Sequence, residues 1–310
     1  MSNSALSPVF SRIVATPAKV NLGLKIVGRR PDGYHDIFTV MEPISLADTL
    51  YCEFRPAADA GFEIDCPQLP DVAAGENLVV KAARLMVSRA RERGGLRSGR
   101  WFFFLDKKIP SGAGLGGGSS NAAAVIRILD EFYGLALEPS EKRDIALELG
   151  ADVPFFLNPV LALAEGVGER LTPLGASQPR YYLLVKPPLA IDTGWAYGAL
   201  SGVRREKNPA FAVDQFAGPV AEYRLENDFE APVMARYPWL GELKSWLARC
   251  PGAQAALMSG SGSVFYAVFS RFDQARAAER AARRRWREAG CEFYLARNLV
   301  ARFTPGGSWK

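Results

Sequence analysis

The chain has 310 residues, 48% of them hydrophobic and 23% charged, with a formal net charge of +5, a composition ordinary for a globular protein that buries two modest cores more readily than one large one. A single histidine, His35, excludes a His-rich metal cage, and the four cysteines, Cys52, Cys66, Cys250 and Cys291, include no Cys-x-x-Cys pair, so neither a zinc site nor a disulfide framework is suggested. No apolar run reaches the roughly 18 residues that a membrane span needs, and Met1 to Phe10 lack a basic segment followed by an apolar one, so a reducing cytoplasm is the expected setting.

In chain order, Arg12 to Thr16 and Val20 to Val27 carry the alternation and β-branching of strands, with Pro17-Ala18-Lys19 between them and a turn at Gly28-Arg29-Arg30-Pro31-Asp32-Gly33. Tyr34 and His35 open the next strand. Thr49 to Phe54 and Phe62 to Cys66 read as short strands, and Asn77 to Ala90 as an amphipathic helix with Leu78, Ala82, Leu85 and Met86 on one side. Trp101 to Leu105 reads as a buried aromatic strand. Ala122 to Leu129 is an apolar, Ala-rich helix. Between them lies Ile109-Pro110-Ser111-Gly112-Ala113-Gly114-Leu115-Gly116-Gly117-Gly118-Ser119-Ser120-Asn121, with five glycines within seven residues.

Such a loop lets backbone N–H groups converge on one concavity, and Ser119, Ser120 and Asn121 stand where helix N-caps are favoured, so the positive end of a helix dipole faces the same place. A phosphate group is the natural occupant. The loop lacks the Gly-Lys-Ser/Thr ending of the Walker type and is too glycine-rich for a dinucleotide fingerprint.

Ser140 to Leu149 reads as a helix capped by Ser140 and ended by Gly150-Ala151-Asp152-Val153-Pro154, which pins Asp152 at a sharp junction. The Pro- and Gly-containing stretch Pro173 to Pro179 marks a lobe boundary, giving lobes 1–174 and 175–310. Tyr181 to Val185 is then a strand, Ser201 to Gly218 a polar excursion, Glu242 to Ala248 a helix, and Val264 to Phe269 a strand entered through the Gly/Ser turn Met258 to Ser263. Much of the positive charge lies in Arg276 to Arg287, where alanines at helical spacing predict a solvated helix face rather than a nucleic-acid stripe.

Three stretches, Pro17-Ala18-Lys19-Val20-Asn21-Leu22, the glycine loop from Pro110 to Ser120, and Met258-Ser259-Gly260-Ser261-Gly262-Ser263, together resemble the three motifs of the GHMP kinase superfamily. Further stretches, Arg29 to His35, Glu76-Asn77-Leu78, Gly150 to Phe156, Ala164 to Glu169 and Glu226-Asn227-Asp228, narrow the resemblance to members that phosphorylate an alcohol of a polyol bearing cytidine diphosphate. It covers about Ala15 to Phe269. Asn158-Pro159, where many members have a glycine, departs from the pattern, and the excursion from Ser201 to Gly218 has no counterpart.

The resemblance implies a two-lobed α+β fold of mixed sheets and helices with its site in the cleft between lobes, and an ATP-dependent kinase acting on a small molecule, with no nucleic acid or membrane as partner. It implies that Pro110, Ser111, Gly112, Ala113, Gly114, Leu115, Gly116, Gly117, Gly118, Ser119 and Ser120 cradle the phosphates, that Ser120 helps to hold Mg²⁺, and that Asn77, Leu78 and Lys107 lie by the adenine. Asp152 is the implied base and Lys19 its cationic partner. Asn21 and Thr193 would touch the diphosphate or polyol of the acceptor, Tyr34 and Tyr197 would sandwich the cytosine, with Trp195 the rival of Tyr197, and His35 would bond the base edge. Kinases of the homoserine or mevalonate type share the glycine loops but not the Arg-Arg-Pro-Asp-Gly-Tyr-His stretch. An RNA-binding protein using the basic helix and a nicotinamide dehydrogenase are the readings from other classes, the latter disfavoured by the missing fingerprint.

Overall fold

The computed structural model describes residues 9–70, 72–175, 177–200 and 225–300. The excursion from Ser201 to Gly218 lies outside the described residues. Two compact units divide the chain, one of Met1–Pro17, Ala47–Ile109 and Gly116–Asn158, the other of Ala18–Leu46, Pro110–Leu115 and Pro159–Lys310. These units interleave along the sequence, so one cut at 174/175 does not describe them. The reason is that two long strands, β1 (Phe10–Arg29) and β2 (His35–Pro56), each contribute to both units.

The sequence predicts a break in β1 at Pro17 and a separate strand at Thr49 to Phe54 after the one opened by Tyr34 and His35, yet β1 and β2 each run on unbroken. Proline lacks the N–H that a central strand must donate. Among the described strands β1 pairs with β2, off the main strand path, so a missing donor at Pro17 is tolerated. The turn between the two strands closes with Arg30 N–H donating to the Tyr34 carbonyl at 2.7 Å, and Gly33 supplies a φ of 91°.

In the first unit, β3 (Gly61–Asp65) runs parallel to β4 (Gly99–Asp106), which pairs antiparallel with β2 from Thr49↔Asp106 to Pro56↔Gly99. Alternation puts Trp101, Phe103 and Leu105 inward, and Trp101 meets Phe132 and Tyr133 of α2 (Gly117–Tyr133), which lies beside α1 (Leu78–Glu92). The buried stripe of α1 is Val79, Val80, Ala82, Ala83, Met86, Val87 and Ala90. It is wider than expected, and Leu78 and Leu85 lie at its half-buried margin. Three successive alanines, Ala122, Ala123 and Ala124, all fully buried, let α2 approach its neighbours closely. It ends at Gly134, whose φ of 61° makes the left-handed cap. Helix α3 (Pro139–Leu149) is capped by Glu138 rather than Ser140, because Glu138 and Glu141 form a reciprocal capping box around Pro139. The short helix α4 (Val153–Leu157) follows.

In the second unit, β2 pairs antiparallel with β5 (Ala162–Gly166) from Ile37↔Gly166 to Met41↔Ala162, and β5 with β6 (Arg170–Pro173). An antiparallel sheet follows in the order β10 (Glu292–Arg297), β7 (Tyr181–Lys186), β9 (Phe265–Phe269), β8 (Ala253–Met258). Leu183, Val185, Phe265, Ala267 and Phe269 share its core with residues of α5 (Thr193–Ala199), α6 (Glu230–Arg236), α7 (Pro238–Ala248) and α8 (Phe272–Trp286). Helix α8 buries Ala275, Ala278, Ala282 and Trp286 and exposes Arg276, Arg280 and Arg284, the solvated basic face expected of its sequence. No described helix is long and apolar enough to cross a membrane.

Candidate active site

The first unit holds the helical half of the glycine loop. Gly116, with φ 70°, is the N-cap of α2, and no side chain caps the helix. Ser119, Ser120 and Asn121 are therefore not caps but lie in the first turns of the helix, which frees the leading N–H groups for an anion. A Cβ on Gly117 would stand 3.0 Å from both Ile109 Cγ2 and Lys107 Nζ, and one on Gly118 would stand 3.3 Å from Leu78 Cδ1. Glycine at these positions thus lets the helix N-terminus sit against Lys107 and Leu78, so three of the expected nucleotide-side features come together. Asn77 N-caps α1, its Oδ1 accepting the Val79 N–H at 3.0 Å. Ser120 is 2% exposed, whereas Ser119 is half-buried. Of the two, Ser119 is the more accessible side chain.

Beneath this turn lies a buried network absent from the sequence expectations. Asp48 pairs with Lys107, and their side chains are 0% and 7% exposed. Asp48 Oδ1 accepts the backbone N–H groups of Lys108 and Ile109, each at 2.8 Å, while Asn121 Nδ2 donates to Asp48 Oδ2 at 3.1 Å and to Thr16 Oγ1 at 2.7 Å. An acid within a strand is the one sequence signal that could have marked it, since a buried charge demands partners. Asp152 in the same unit is the N-cap residue of α4, with φ −83° and ψ −14°, and its side chain does not cap that helix. The turn at Gly150 that precedes it has φ 156°, a conformation that glycine alone adopts readily.

The second unit holds the stretch 18–22, the first part of the glycine loop (Pro110–Leu115) and the turn 258–263. Lys19, 3% exposed, donates from Nζ to Asn21 Oδ1 at 2.7 Å. Asn21 Nδ2 donates to Thr39 Oγ1 at 2.9 Å, and Thr39 Oγ1 donates to the Gly23 carbonyl at 2.6 Å. This relay fixes the amide of Asn21 so that its oxygen faces Lys19. Asn21, expected to touch the acceptor, is 2% exposed, with its side chain bonded to Lys19 and Thr39. The Tyr266 hydroxyl donates to the Asn21 carbonyl at 2.6 Å. Burial pushes the Tyr266 phenol well above its ordinary range, so it stays a neutral donor.

The first part of the glycine loop is tied to the same place. Lys19 N–H donates to the Leu115 carbonyl at 3.0 Å, and Ala113 and Leu115 are buried while Ser111 and Gly112 are exposed. Gly114, with φ 75°, admits the Gly/Ser turn 258–263, because a Cβ there would lie 2.0 Å from the Ser259 carbonyl oxygen. Ser259 Oγ donates to the Gly114 carbonyl at 2.8 Å, and Asn227 Nδ2 donates to the carbonyls of Met258 and Gly260, each at 2.8 Å. The turn is therefore more than a β-turn between strands. Glu230 accepts the Met258 N–H at 2.8 Å. Burial raises the Glu230 carboxyl above its ordinary range, with Lys244 opposing.

Of the residues assigned to the acceptor base, His35 lies flat on Tyr197, with ring centroids 4.7 Å apart and planes inclined by 20°, and Tyr197 meets Phe229 edge-on. Tyr34 is 64% exposed. Trp195, the rival of Tyr197, instead carries the Arg236 guanidinium 4.4 Å above its ring. Thr193 opens α5, where its Oγ1 is 3.1 Å from Ser261 Oγ.

The sequence matches the GHMP kinases N terminal domain over residues 77–158 and the GHMP kinases C terminal domain over 215–288. A 4-diphosphocytidyl-2-C-methyl-D-erythritol kinase of Syntrophotalea carbinolica is 39% identical over 84% of this chain and 91% of its own length, and one of Porphyromonas gingivalis is 42% identical over 83% and 92%. The chain belongs to the 4-diphosphocytidyl-2-C-methyl-D-erythritol kinase family of GHMP kinases. A crystal structure of a 4-(cytidine 5'-diphospho)-2C-methyl-D-erythritol kinase, 36% identical, superposes with a TM-score of 0.77 over 93% of this chain and 99% of its own. Homoserine kinase from Cytophaga hutchinsonii, at 15% identity and a TM-score of 0.70, shares the fold. As a member of the family, the chain is an ATP-dependent small-molecule kinase of the α+β GHMP kinase fold.

Proposed function

We propose that this kinase transfers the γ-phosphoryl group of ATP to the 2-hydroxyl of 4-diphosphocytidyl-2-C-methyl-D-erythritol, in the non-mevalonate route to isopentenyl diphosphate, as a cytoplasmic enzyme. The observation that carries the acceptor is the aromatic group at the start of β2, where exposed Tyr34 stands beside a His35 ring braced flat by Tyr197. An open ring face next to an oriented imidazole suits a planar base read at its edge. Homoserine and mevalonate carry no such base. In this reading Tyr34 stacks on the cytosine, His35 bonds its edge and Tyr197 holds His35, while Thr193 bonds the diphosphate or polyol.

Phosphoryl transfer requires positioning and charge stabilisation more than covalent help. The loop Pro110 to Ser119 takes the β- and γ-phosphates on its N–H groups, with Asn77, Leu78 and Lys107 on the adenine side. Asp152 accepts the proton of the acceptor hydroxyl as its oxygen attacks phosphorus and ADP leaves, and Lys19, aimed by Asn21, offsets the negative charge of the transferred group. Among the described residues no cluster of three His, Cys, Asp or Glu side chains could hold a metal. Mg²⁺, with the hydroxyl of Ser119 or Ser120 as protein ligand, would neutralise phosphate charge.

ATP consumption measured with the cytidyl acceptor, homoserine and mevalonate in parallel tests the reading. Turnover with the first alone is expected; turnover with either of the others and none with the cytidyl compound refutes it. His35→Ala should raise KM for the cytidyl acceptor about tenfold or more, the effect of one lost hydrogen bond in a specific site, with KM for ATP little changed.

A further inference from the structure

Asp48 takes no part in the transfer described above, yet its carboxylate is filled on every side. Oδ1 takes two backbone N–H groups from the segment that leaves β4, and Oδ2 takes the Lys107 ammonium and the Asn121 amide. Thr16 closes the group, donating to the Asp48 carbonyl at 3.3 Å while accepting from Asn121. One carboxylate thereby fixes three things at once: the backbone of Lys108 and Ile109, the charge of Lys107, and the first turns of α2. Gly117 shows how close these parts are, because even a methyl group there would press on Lys107 Nζ and Ile109 at 3.0 Å.

We infer that Asp48 is a positioning residue for the donor nucleotide, acting through the Lys107–Ile109 segment and the N-terminal turns of α2. The inference rests on the reading of the glycine loop as the phosphate cradle. Its physical basis is donor and acceptor matching. Four donors converge on Asp48, and only a carboxylate offers acceptors to all of them. An amide in its place would turn its own NH₂ toward the Lys107 ammonium or toward backbone N–H groups, and the segment would have to move away from the helix. The Lys107 charge is balanced within this group, so Lys107 serves the nucleotide as a fixed wall rather than as a free cation for its phosphates.

Steady-state kinetics of the full chain test this. Asp48→Asn should raise KM for ATP by about tenfold or more, the scale of a lost hydrogen bond to a charged group, while kcat and KM for the cytidyl acceptor change by less than about threefold. Removing the stranded ammonium as well, in Asp48→Asn/Lys107→Met, should bring KM for ATP part of the way back. A general loosening of the fold would raise both KM values together, and that result, or no change in either, overturns the inference. If Asp48→Asn does not fold, Thr16→Val carries the test, with an expected rise of about two- to fivefold in KM for ATP alone; no rise overturns it. Gly117→Val is measured alongside. If it leaves KM for ATP unchanged, the cradle reading fails and the inference with it; if it raises that KM and Asp48→Asn does not, the inference alone fails.

Discussion

Two carboxylate–lysine pairs brace the two glycine-rich loops, one in each compact unit, and they differ in their access to water. Asp48 and Lys107 have side chains 0% and 7% exposed, whereas Glu230 and Lys244 are 7% and 28% exposed. Asp48 supports the turn that opens α2, and Glu230 supports the strand end that leads into the turn 258–263. The chemistry is the same, but the consequence of losing the acid is not. Without Asp48 a buried ammonium is left with few partners, a costly state; without Glu230 the Lys244 head can turn to solvent. Around the second loop the remaining ties are neutral, from Asn227 and Ser259 to backbone carbonyls, and neutral ties cost less to break.

Substitutions separate the two supports. The largest expected loss is at the contact that depends on neither pair. Gly114→Ala places a Cβ 2.0 Å from a backbone oxygen at a φ of 75°, which no side-chain adjustment relieves, and should destabilise the chain by more than about 4 kcal/mol or prevent folding. Denaturant titration reads this, and a loss below about 1 kcal/mol would mean that the two loops do not need to meet so closely. Next comes Asp48→Ala, expected to cost about 3–5 kcal/mol by stranding Lys107.

The smallest effect belongs to Glu230→Gln, which keeps an acceptor for Met258 N–H and should change stability by less than about 1 kcal/mol at neutral pH. Its pH dependence has a definite sign. Burial raises the Glu230 carboxyl above its ordinary range in the folded chain, so the folded state binds the proton more tightly than the unfolded state does. Stability from this group is then present below the ordinary carboxylate range and is lost as pH rises through the raised folded value. Wild type should gain on Glu230→Gln as pH is lowered from neutral. Equal losses for Asp48→Ala and Glu230→Gln would show that exposure of the lysine does not decide the outcome.

Much of this arrangement was legible because its functional stretches are punctuated by residues with few alternatives. Glycine at 112, 114, 116, 117 and 118, proline at 154, and the Gly/Ser turn at 258–263 each restrict the local backbone, and the order of strand, loop and helix follows. Asp152 was legible as the residue at the junction before α4. What escaped notice depends on partners distant in sequence. Asp48 is one of four acids in β2, and its meaning appears only when Lys107 and Asn121, 59 and 73 positions away, are brought to it. Pro17 looked like a strand break because its tolerance depends on which neighbour β1 lacks, a matter of topology rather than propensity. The cap of α3 was misplaced by two residues because Glu138, a less common cap, won through its reciprocal bonds with the backbone and Glu141. The stacking of Tyr197 on His35 was not legible, because the two rings come from segments more than 160 positions apart.

The proposed division of labour gives the nucleotide to the glycine loop and the proton to Asp152. Asp152→Asn, assayed for turnover with saturating ATP and cytidyl acceptor and for ATP affinity by calorimetry, tests that division most directly. The substitution should lower kcat by about 10²- to 10⁴-fold, the range for loss of a general base, while ATP affinity and the melting temperature stay close to wild type. A folded Asp152→Asn protein that turns over at the wild-type rate, or one whose loss of activity is matched by an equal loss of ATP binding, would contradict it.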